Sequence, residues 1–271
     1  MPPIRSPRNE RVRRVRKLQE RRGRRREGRF LLEGPKVLRE ALARSPDLIE
    51  EVLYREQPTY AEEVREALSA ARAAGVACHP VEARLYEELC PSESPQPLLG
   101  VAFVRWSDLG ALCGSPAPVA RAVVACAGVQ DPGNLGTILR TAHFFGFAGA
   151  ATLPGTHDPF SPKVVRSSAG ALLDLPPARA EGPEALFAAA DAAALTPVAL
   201  VAHGGAPLDA VELPLRSLFL LGSEGQGLDE AVGRRAGLRV RIAPGRSGAE
   251  SLNVAVAFAV AAHAWQSRWR T

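Results

Sequence analysis

Apolar and polar positions follow two alternating periods along this chain. Phe30–Glu33 is a short apolar run stopped by Gly34. Pro35 then opens a segment in which Val37, Leu38, Ala41 and Leu42 recur at helical spacing. Ile49–Tyr54 reads as a strand and Tyr60–Ala74 as a helix closed by Gly75. Val76–Val81, Ala83–Leu89 and Leu98–Val104 read as strand, helix and strand. Residues 30–105 are thus expected to form a small α/β domain. Residues 106–119 break the pattern with Gly110, Gly114, Pro116 and Pro118 among small residues, which predicts a linker.

Residues 120–271 carry the same alternation on a larger scale. Ala122–Ala127 is continuously apolar, as a strand buried on both faces must be. Leu135–Phe145 is a helix pattern ending at Gly146, and Ala148–Leu153 a second strand. Ser161–Leu172 and Pro183–Ala194 read as helices, and Val198–Ala202 and Leu218–Leu221 as buried strands. Leu228–Ala236 reads as a helix, Arg239–Ala243 as a strand and Ser251–Trp269 as a long final helix. Such alternation predicts a parallel sheet with helices on both faces. Ligands of these sheets bind beyond the carboxyl ends of the strands, so the loops there should hold the chemistry.

Charge adds a feature that the pattern does not show. The 271 residues hold 34 Lys+Arg and 29 Asp+Glu, a net charge of +5. Residues 1–29 contain 13 basic side chains and only the acids Glu10, Glu20 and Glu27, a net of +10, so the rest of the chain carries −5. This reads as a basic arm for a polyanion, with Val12, Val15 and Leu18 too few to anchor it on a membrane. No apolar run reaches the roughly 18–20 residues of a membrane span, and no apolar segment follows the basic leader as a secretory signal would require. Cys78, Cys90, Cys113 and Cys126 form no Cys-x-x-Cys pair. They read as reduced core thiols of a cytoplasmic protein rather than metal ligands. The five histidines are scattered, and Trp265 and Trp269, four apart, suit core or dimer packing.

Three loops after predicted strands stand out. The first runs from Gln130 through Gly133, Asn134 and Gly136 to Arg140. By itself it reads equally well as a helix cap with a solvated arginine. The second, Gly222-Ser223-Glu224-Gly225-Gln226-Gly227, brings backbone close to a ligand or simply turns. It lacks the third glycine of a dinucleotide fingerprint, and no phosphate-binding Gly-Lys-Ser/Thr exists in the chain. The third passes from Ile242 through Gly248 to Ser251, Leu252, Asn253 and Val254, with Ser251 as a helix cap or an anion holder. No Gly-x-Ser-x-Gly elbow supports a hydrolase.

Together the loops match one pattern in order and spacing. Asn134…Arg140, Gly222–Gly225 and Ser251–Val254 resemble the three motifs of the SpoU-type (TrmH-like) branch of the SPOUT RNA methyltransferases. The stretch from Asp158 through Lys163, Arg166, Ser168 and Gly170 is also similar to that family. The Arg-rich leader followed by Phe30, Glu33, Gly34 and Lys36 resembles its ribosomal-protein-like substrate-binding domain.

The resemblance implies an α/β protein with a C-terminal trefoil-knotted domain behind a small α/β RNA-binding domain. It implies methyl transfer from S-adenosylmethionine to a ribose 2′-hydroxyl, of ribosomal RNA in preference to transfer RNA, by an obligate homodimer. Asn134, Arg140, Glu224, Ser251 and Asn253 would be catalytic. Leu221, Gly222, Gly225, Ile242, Ser251 and Leu252 would hold the cofactor. Arg13, Arg14, Arg16, Lys17, Arg21, Lys36, Lys163 and Arg166 would contact RNA. An arginine essentially never deprotonates, so Arg140 is read as stabilising a developing alkoxide rather than as the base. Two other readings stay open: a non-catalytic RNA-binding factor on the same fold, and a Rossmann-type base methyltransferase, whose early acidic Gly-x-Gly strand end is missing.

Overall fold

The structure, a computed structural model, describes residues 2–90, 92, 94–245 and 251–269. The chain forms two compact units. The first comprises residues 1–104 and 160–173, the second residues 105–159 and 174–271.

In the first unit the elements are α1 (Glu10–Leu18), α2 (Arg21–Glu27), β1 (Arg29–Glu33), α3 (Pro35–Arg44), β2 (Ile49–Arg55), α4 (Glu62–Ala73), β3 (Ala77–Val81), α5 (Ala83–Glu87) and β4 (Leu98–Phe103). The strands form a sheet in the order β1-β4-β2-β3, with only the β2–β3 pair parallel. The basic leader is not a separate arm but folds into the first unit. Val12, Val15 and Leu18 lie on one face of α1, fully buried against Leu31, Leu53, Val81, Tyr86 and Leu99. Three apolar residues at helical spacing give α1 a core-facing stripe despite its charge. Deleting residues 1–29 therefore strips the core of this unit rather than trimming a tail.

The ion pairs of this unit sort the basic residues. Glu51, 5% exposed, receives Arg11 (2.9 Å) and Arg14, and Glu50 receives Arg14 (2.8 Å) and Arg29 (2.7 Å). His79 lies 3.4 Å from Glu51. Burial and the Arg11 charge hold its ring below the usual histidine range, against the pull of Glu51. Glu51 thus works with a neutral imidazole and two guanidinium groups.

The second unit begins where a linker was expected. Its first helix, α6 (Leu109–Cys113), buries Leu112 and Cys113 in the core. The buried Arg216 guanidinium donates to the carbonyls of Ser115 (2.9 Å), Val119 (3.4 Å) and Ala193 (2.9 Å), so residues 115–119 are tied down. Then follow β5 (Arg121–Cys126), α7 (Pro132–Phe144) and β6 (Gly149–Thr152). The expected helix over 161–172 is two pieces. The first, α8 (Pro162–Ser167), packs on β1 of the first unit, and α9 spans Ala171–Asp174. Ala169 (φ 48) and Gly170 (φ 85) are left-handed and end the first helix.

The remaining elements are β7 (Ala178–Arg179), α10 (Pro183–Ala192), β8 (Thr196–Leu200), β9 (Ala206–Pro207), β10 (Arg216–Leu221), α11 (Glu230–Arg234), β11 (Leu238–Arg241) and α12 (Val254–Trp269). All seven strands are parallel, in the order β7-β6-β5-β10-β8-β11-β9. The central pair β5 and β10 is buried on both faces, as their apolar runs require. Phe147, Phe219, Phe258 and Trp265 stack beneath α12 with ring centroids 5.2–6.3 Å apart. The two indoles of α12 donate to the carbonyls of Pro214 (2.9 Å) and Leu213 (3.1 Å). No helix among the described residues is long and apolar enough to cross a membrane.

Candidate active site

The strand order puts β5 beside β10, and β11 two strands further on, all pointing the same way. Their following loops therefore meet at one edge of the sheet, and α12 starts there.

After β5, Gly128 takes a left-handed turn (φ 86). Thr156 braces it, accepting from the Gly128 N–H (3.0 Å) and donating to the Cys126 carbonyl (2.6 Å). Pro132 begins α7, and Asp131 caps it by accepting from the Asn134 N–H at 2.8 Å. Asp131, not Asn134, is thus the cap, and the Asn134 side chain is left for other work.

That work is a chain of hydrogen bonds joining all three loops. Asn134 Nδ2 donates to Glu224 Oε1 (3.0 Å), and Asn253 Nδ2 donates to Asn134 Oδ1 (2.9 Å). A carboxylate only accepts, so Glu224 fixes which way the Asn134 amide faces and leaves its oxygen for Asn253. Asn253 Oδ1 in turn accepts from the N–H groups of Ala255 (2.9 Å) and Val256 (3.3 Å). The final helix therefore starts at Val254 with Asn253 as its cap, three residues later than expected and without Ser251 in that role.

Glu224 also accepts from the N–H groups of Gln130 and Asp131, each at 3.3 Å. Burial by itself would push its carboxyl up. The Asn134 amide and the backbone N–H groups of Glu224, Gln130 and Asp131 outweigh that and hold it below the usual carboxylate range. The stabilisation it gives the loops is therefore fully present above the ordinary carboxylate pKa, and is lost as pH falls through the depressed value. Nearby, burial pushes the Cys126 thiol up to about 12, which makes it inert as a nucleophile.

The loop after β10 is a closed turn. Ser223 and Gly227 exchange N–H to carbonyl bonds of 2.9 and 3.0 Å, and the Gln226 N–H bonds to Ser223 Oγ (3.1 Å). Gly222 sits so tightly that a Cβ would lie 2.1 Å from the Gly227 carbonyl carbon, whereas a Cβ on Gly225 would meet nothing within 4 Å. Gly222, Gly225, Ile242, Ser251 and Leu252 all line one cleft, with Glu224 and Asn253 at its wall. Leu221 is not among the residues that line it. Its side chain is fully buried in the core, and its carbonyl is taken by the Ala127 N–H (2.7 Å).

Arg140 lies on the exposed side of α7 and makes no hydrogen bond or ion pair among the described residues. Its apolar neighbours Ile138, Leu139 and Ala142 are buried on the other side of the helix. Of the candidate RNA contacts, Arg13, Lys17, Arg21, Lys36 and Lys163 are exposed. Arg14 is bound to Glu50 and Glu51, Arg16 to Glu88 (3.3 Å) and Arg166 to Glu33 (3.4 Å). The sequence reading missed the loop after β8, where Val201, Ala202, His203 and Gly204 line the same cleft. The Gly204-Gly205 pair behind an apolar strand was the available signal.

Residues 121–263 match the SpoU rRNA Methylase family, and residues 9–100 match the MRM3-like substrate binding domain. The chain is 30% identical to the 23S rRNA (guanosine(2553)-2′-O)-methyltransferase RlmP of Bacillus subtilis, over 96% of this chain and 97% of that protein. Among solved structures, an AdoMet-bound rRNA methyltransferase from Sinorhizobium meliloti superposes with a TM-score of 0.86 at 28% identity, covering 100% of this chain and 99% of that one. The SpoU methyltransferase AviRb from Streptomyces viridochromogenes, in complex with AdoMet, gives 0.83 at 26% identity, covering 96% and 98%. With the motif loops joined as described, these matches along nearly the whole chain place it in a family: the chain belongs to the SpoU rRNA methylases.

Proposed function

We propose that the chain transfers a methyl group from S-adenosylmethionine to a ribose 2′-hydroxyl of ribosomal RNA. The observation that carries this reading is the Glu224–Asn134–Asn253 chain, which ties the three motif loops into one site on the helix that bears the exposed Arg140. The names of the relatives, a 23S rRNA 2′-O-methyltransferase and AdoMet-bound methyltransferases, support the substrate and the cofactor.

The cleft fits the cofactor. Gly222–Gly227 offers backbone without side-chain cover, Leu252 is 50% exposed beside it, and Ile242 adds an apolar wall. Gly222, Gly225, Ile242, Ser251 and Leu252 would hold it, with the β8 loop closing one side. Leu221 shapes the site only through the strand that ends there. When bound, S-adenosylmethionine supplies a sulfonium methyl open to in-line attack by oxygen.

The protein's own task is to make a weak nucleophile attack. A 2′-hydroxyl must lose its proton near the transition state. A guanidinium donates hydrogen bonds and is no base, so Arg140 stabilises the developing alkoxide and grips a neighbouring phosphate rather than removing the proton. Asn134 and Asn253 set the loop that faces it, and Glu224 locks both amides. Ser251, exposed at the head of the last helix, is placed for a phosphate or the cofactor.

The chain acts as a homodimer. Phe144 (76% exposed), Val256 (49%) and Val260 (41%) stand out on α7 and α12, which pack against each other. Apolar side chains so exposed on adjoining helices favour cover by a second copy. Phe144 is four residues from Arg140, so such an interface brings Arg140 to its edge. The four free cysteines suit a reducing cytoplasm.

Labelled S-adenosylmethionine and stripped ribosomal RNA test the reading. Label is expected in RNA, and in dinucleotides that survive alkali, because a 2′-O-methyl group removes the hydroxyl that cleaves the chain. Label in alkali-released mononucleotides would mean base methylation, and label in transfer RNA alone would move the substrate. Tight RNA binding without cofactor binding would leave a non-catalytic RNA factor.

A further inference from the structure

A 2′-hydroxyl that attacks a methyl group has to hand its proton to a base, and the motif residues supply none. Arg140 has donors only, and asparagine amides and a serine hydroxyl are no bases. The Glu224 carboxylate already accepts from Asn134 Nδ2 (3.0 Å) and from the N–H groups of Gln130 and Asp131 (3.3 Å each). Against the push of burial, these bonds hold it below the usual carboxylate range, which makes it a weak base. Asp131 is occupied by the Asn134 N–H (2.8 Å).

The outward side of α7 offers a base. Leu135, Gly136, Ile138, Leu139 and Ala142 are buried, and Thr137, Arg140, His143 and Phe144 are exposed. Thr137 spends its hydroxyl on the Gly133 carbonyl (2.8 Å). His143 stands three residues after Arg140, so their side chains are neighbours, with Cβ atoms about 5–6 Å apart. Helical side chains lean toward the N-terminus, so His143 leans over the turn that carries Arg140.

Asp174, the last residue of α9, sets the ring. Its Oδ2 lies 3.0 Å from His143 Nε2, with the side chains 34% and 43% exposed. A carboxylate oxygen and a bare ring nitrogen would repel at that distance, so Nε2 carries the hydrogen and Nδ1 keeps its lone pair. A carboxylate placed in this way holds a histidine base in one tautomer and stabilises the imidazolium that forms. The elements packed on α7 bring other charges that are engaged elsewhere. On α12, His263 rests on the Phe145 ring (centroids 5.9 Å apart) and Arg268 pairs with Glu212 (2.5 Å). On β5, the Arg121 guanidinium donates to the carbonyls of Ala111 (3.2 Å) and Leu112 (2.7 Å), and the Cys126 thiol is fully buried. His203, in the cleft, has no ion-pair partner among the described residues.

We propose that His143, oriented by Asp174, is the general base of methyl transfer and takes the 2′-hydroxyl proton beside Arg140. As O2′ bonds to the methyl carbon, the methyl–sulfur bond gives its electron pair to sulfur and the O2′ proton passes to Nδ1. The imidazolium then returns that proton to solvent. This rests on the reading of the reaction as ribose 2′-O-methylation.

The test measures single-turnover methyl transfer from labelled S-adenosylmethionine to ribosomal RNA from cells that lack the protein, from about pH 5 to 9, which spans the range where histidines titrate. The wild-type rate is expected to rise with unit slope on the acid side and then level, because the base must first lose one proton. His143→Ala should lower the rate by about 10²–10⁴ and remove the acid limb, with cofactor affinity, RNA affinity and sedimentation unchanged. Free imidazole should restore part of that variant's rate. Asp174→Asn, which no longer fixes the tautomer, should lower the rate but keep the limb.

A His143→Ala rate close to that of the wild type overturns the proposal, as does an acid limb that survives in that variant or vanishes in His203→Ala. A loss confined to RNA affinity, a loss that follows dissociation of a dimer, or a lowered melting temperature without imidazole rescue overturns it too, and leaves His143 a contact or structural residue. If the wild-type chain methylates no ribose, the methyl-transfer reading falls and the base falls with it. If the wild-type chain methylates ribose and the alanine variant keeps pace, the base alone falls.

Discussion

Replacing Arg140 by alanine should abolish most methyl transfer while leaving the protein folded. The side chain is exposed and has no partner among the described residues, so its loss removes no packing. The cofactor cleft is lined by other loops and does not include it. On the proposed mechanism, what is lost is a positive group that would meet negative charge developing in the transition state. Removing one such group costs about 10²–10³ in rate. A fall of that size in kcat is expected, with cofactor affinity and melting temperature unchanged. Arg140→Lys should recover part of the rate, since a point charge replaces the fork but not its bidentate geometry. Full activity in the alanine variant would remove Arg140 from the mechanism.

Gly222→Ala should cost cofactor binding by a different route. A Cβ at this position would lie within 2.1–2.3 Å of the Gly227 carbonyl group and the Leu228 nitrogen, all backbone. The turn has to open, and the Ser223–Gly227 bonds that close it have to stretch. Overpacking of this kind costs about 1–3 kcal/mol. Here the strain falls on the segment whose backbone would hold the cofactor. A loss of affinity of at least tenfold for S-adenosylmethionine is expected, by calorimetry, with a lower melting temperature. Gly225→Ala is the control, because nothing lies within 4 Å of its added methyl. It should leave the melting temperature alone, so any weaker binding it shows reports direct contact with the cofactor. If Gly222→Ala binds normally, the turn is not part of the cofactor site.

The two variants probe different parts of one assembly, and the sequence revealed those parts unequally. The three loops could be read from residue type and spacing, because a glycine-rich turn and the pair Asn134 and Arg140 are local features. What joins the loops could not. Whether Asn134 caps its own helix or serves Glu224 depends on Asp131 taking the cap, and that depends on where Pro132 starts the helix. The basic leader misled for a related reason. Thirteen charges outweigh Val12, Val15 and Leu18 in any composition count, but three apolar residues on one helix face suffice to dock it. The stretch 106–119 looked like a linker because Gly and Pro dominate it. Leu112, Cys113 and the reach of Arg216 decide its place. The two-residue strands β7 and β9 carry no periodic signal at all, being set by their neighbours in the sheet.

The mechanism also separates roles that the motif pattern lists together. Asn253 is both a helix cap and a donor to Asn134, so it ties the start of α12 to the loop after β5. Glu224 stays ionised well below neutral pH, and its carboxylate accepts from the Asn134 amide.

The central claim is that this site methylates a ribose 2′-hydroxyl of ribosomal RNA. Mapping 2′-O-methyl groups across ribosomal RNA tests it most directly, in cells that contain the protein, lack it, or carry only its Arg140→Ala variant. One position, or a few, should be methylated with the wild-type protein and bare in the other two. Identical maps in all three strains, together with no label transferred to stripped ribosomal RNA in vitro, would contradict the account.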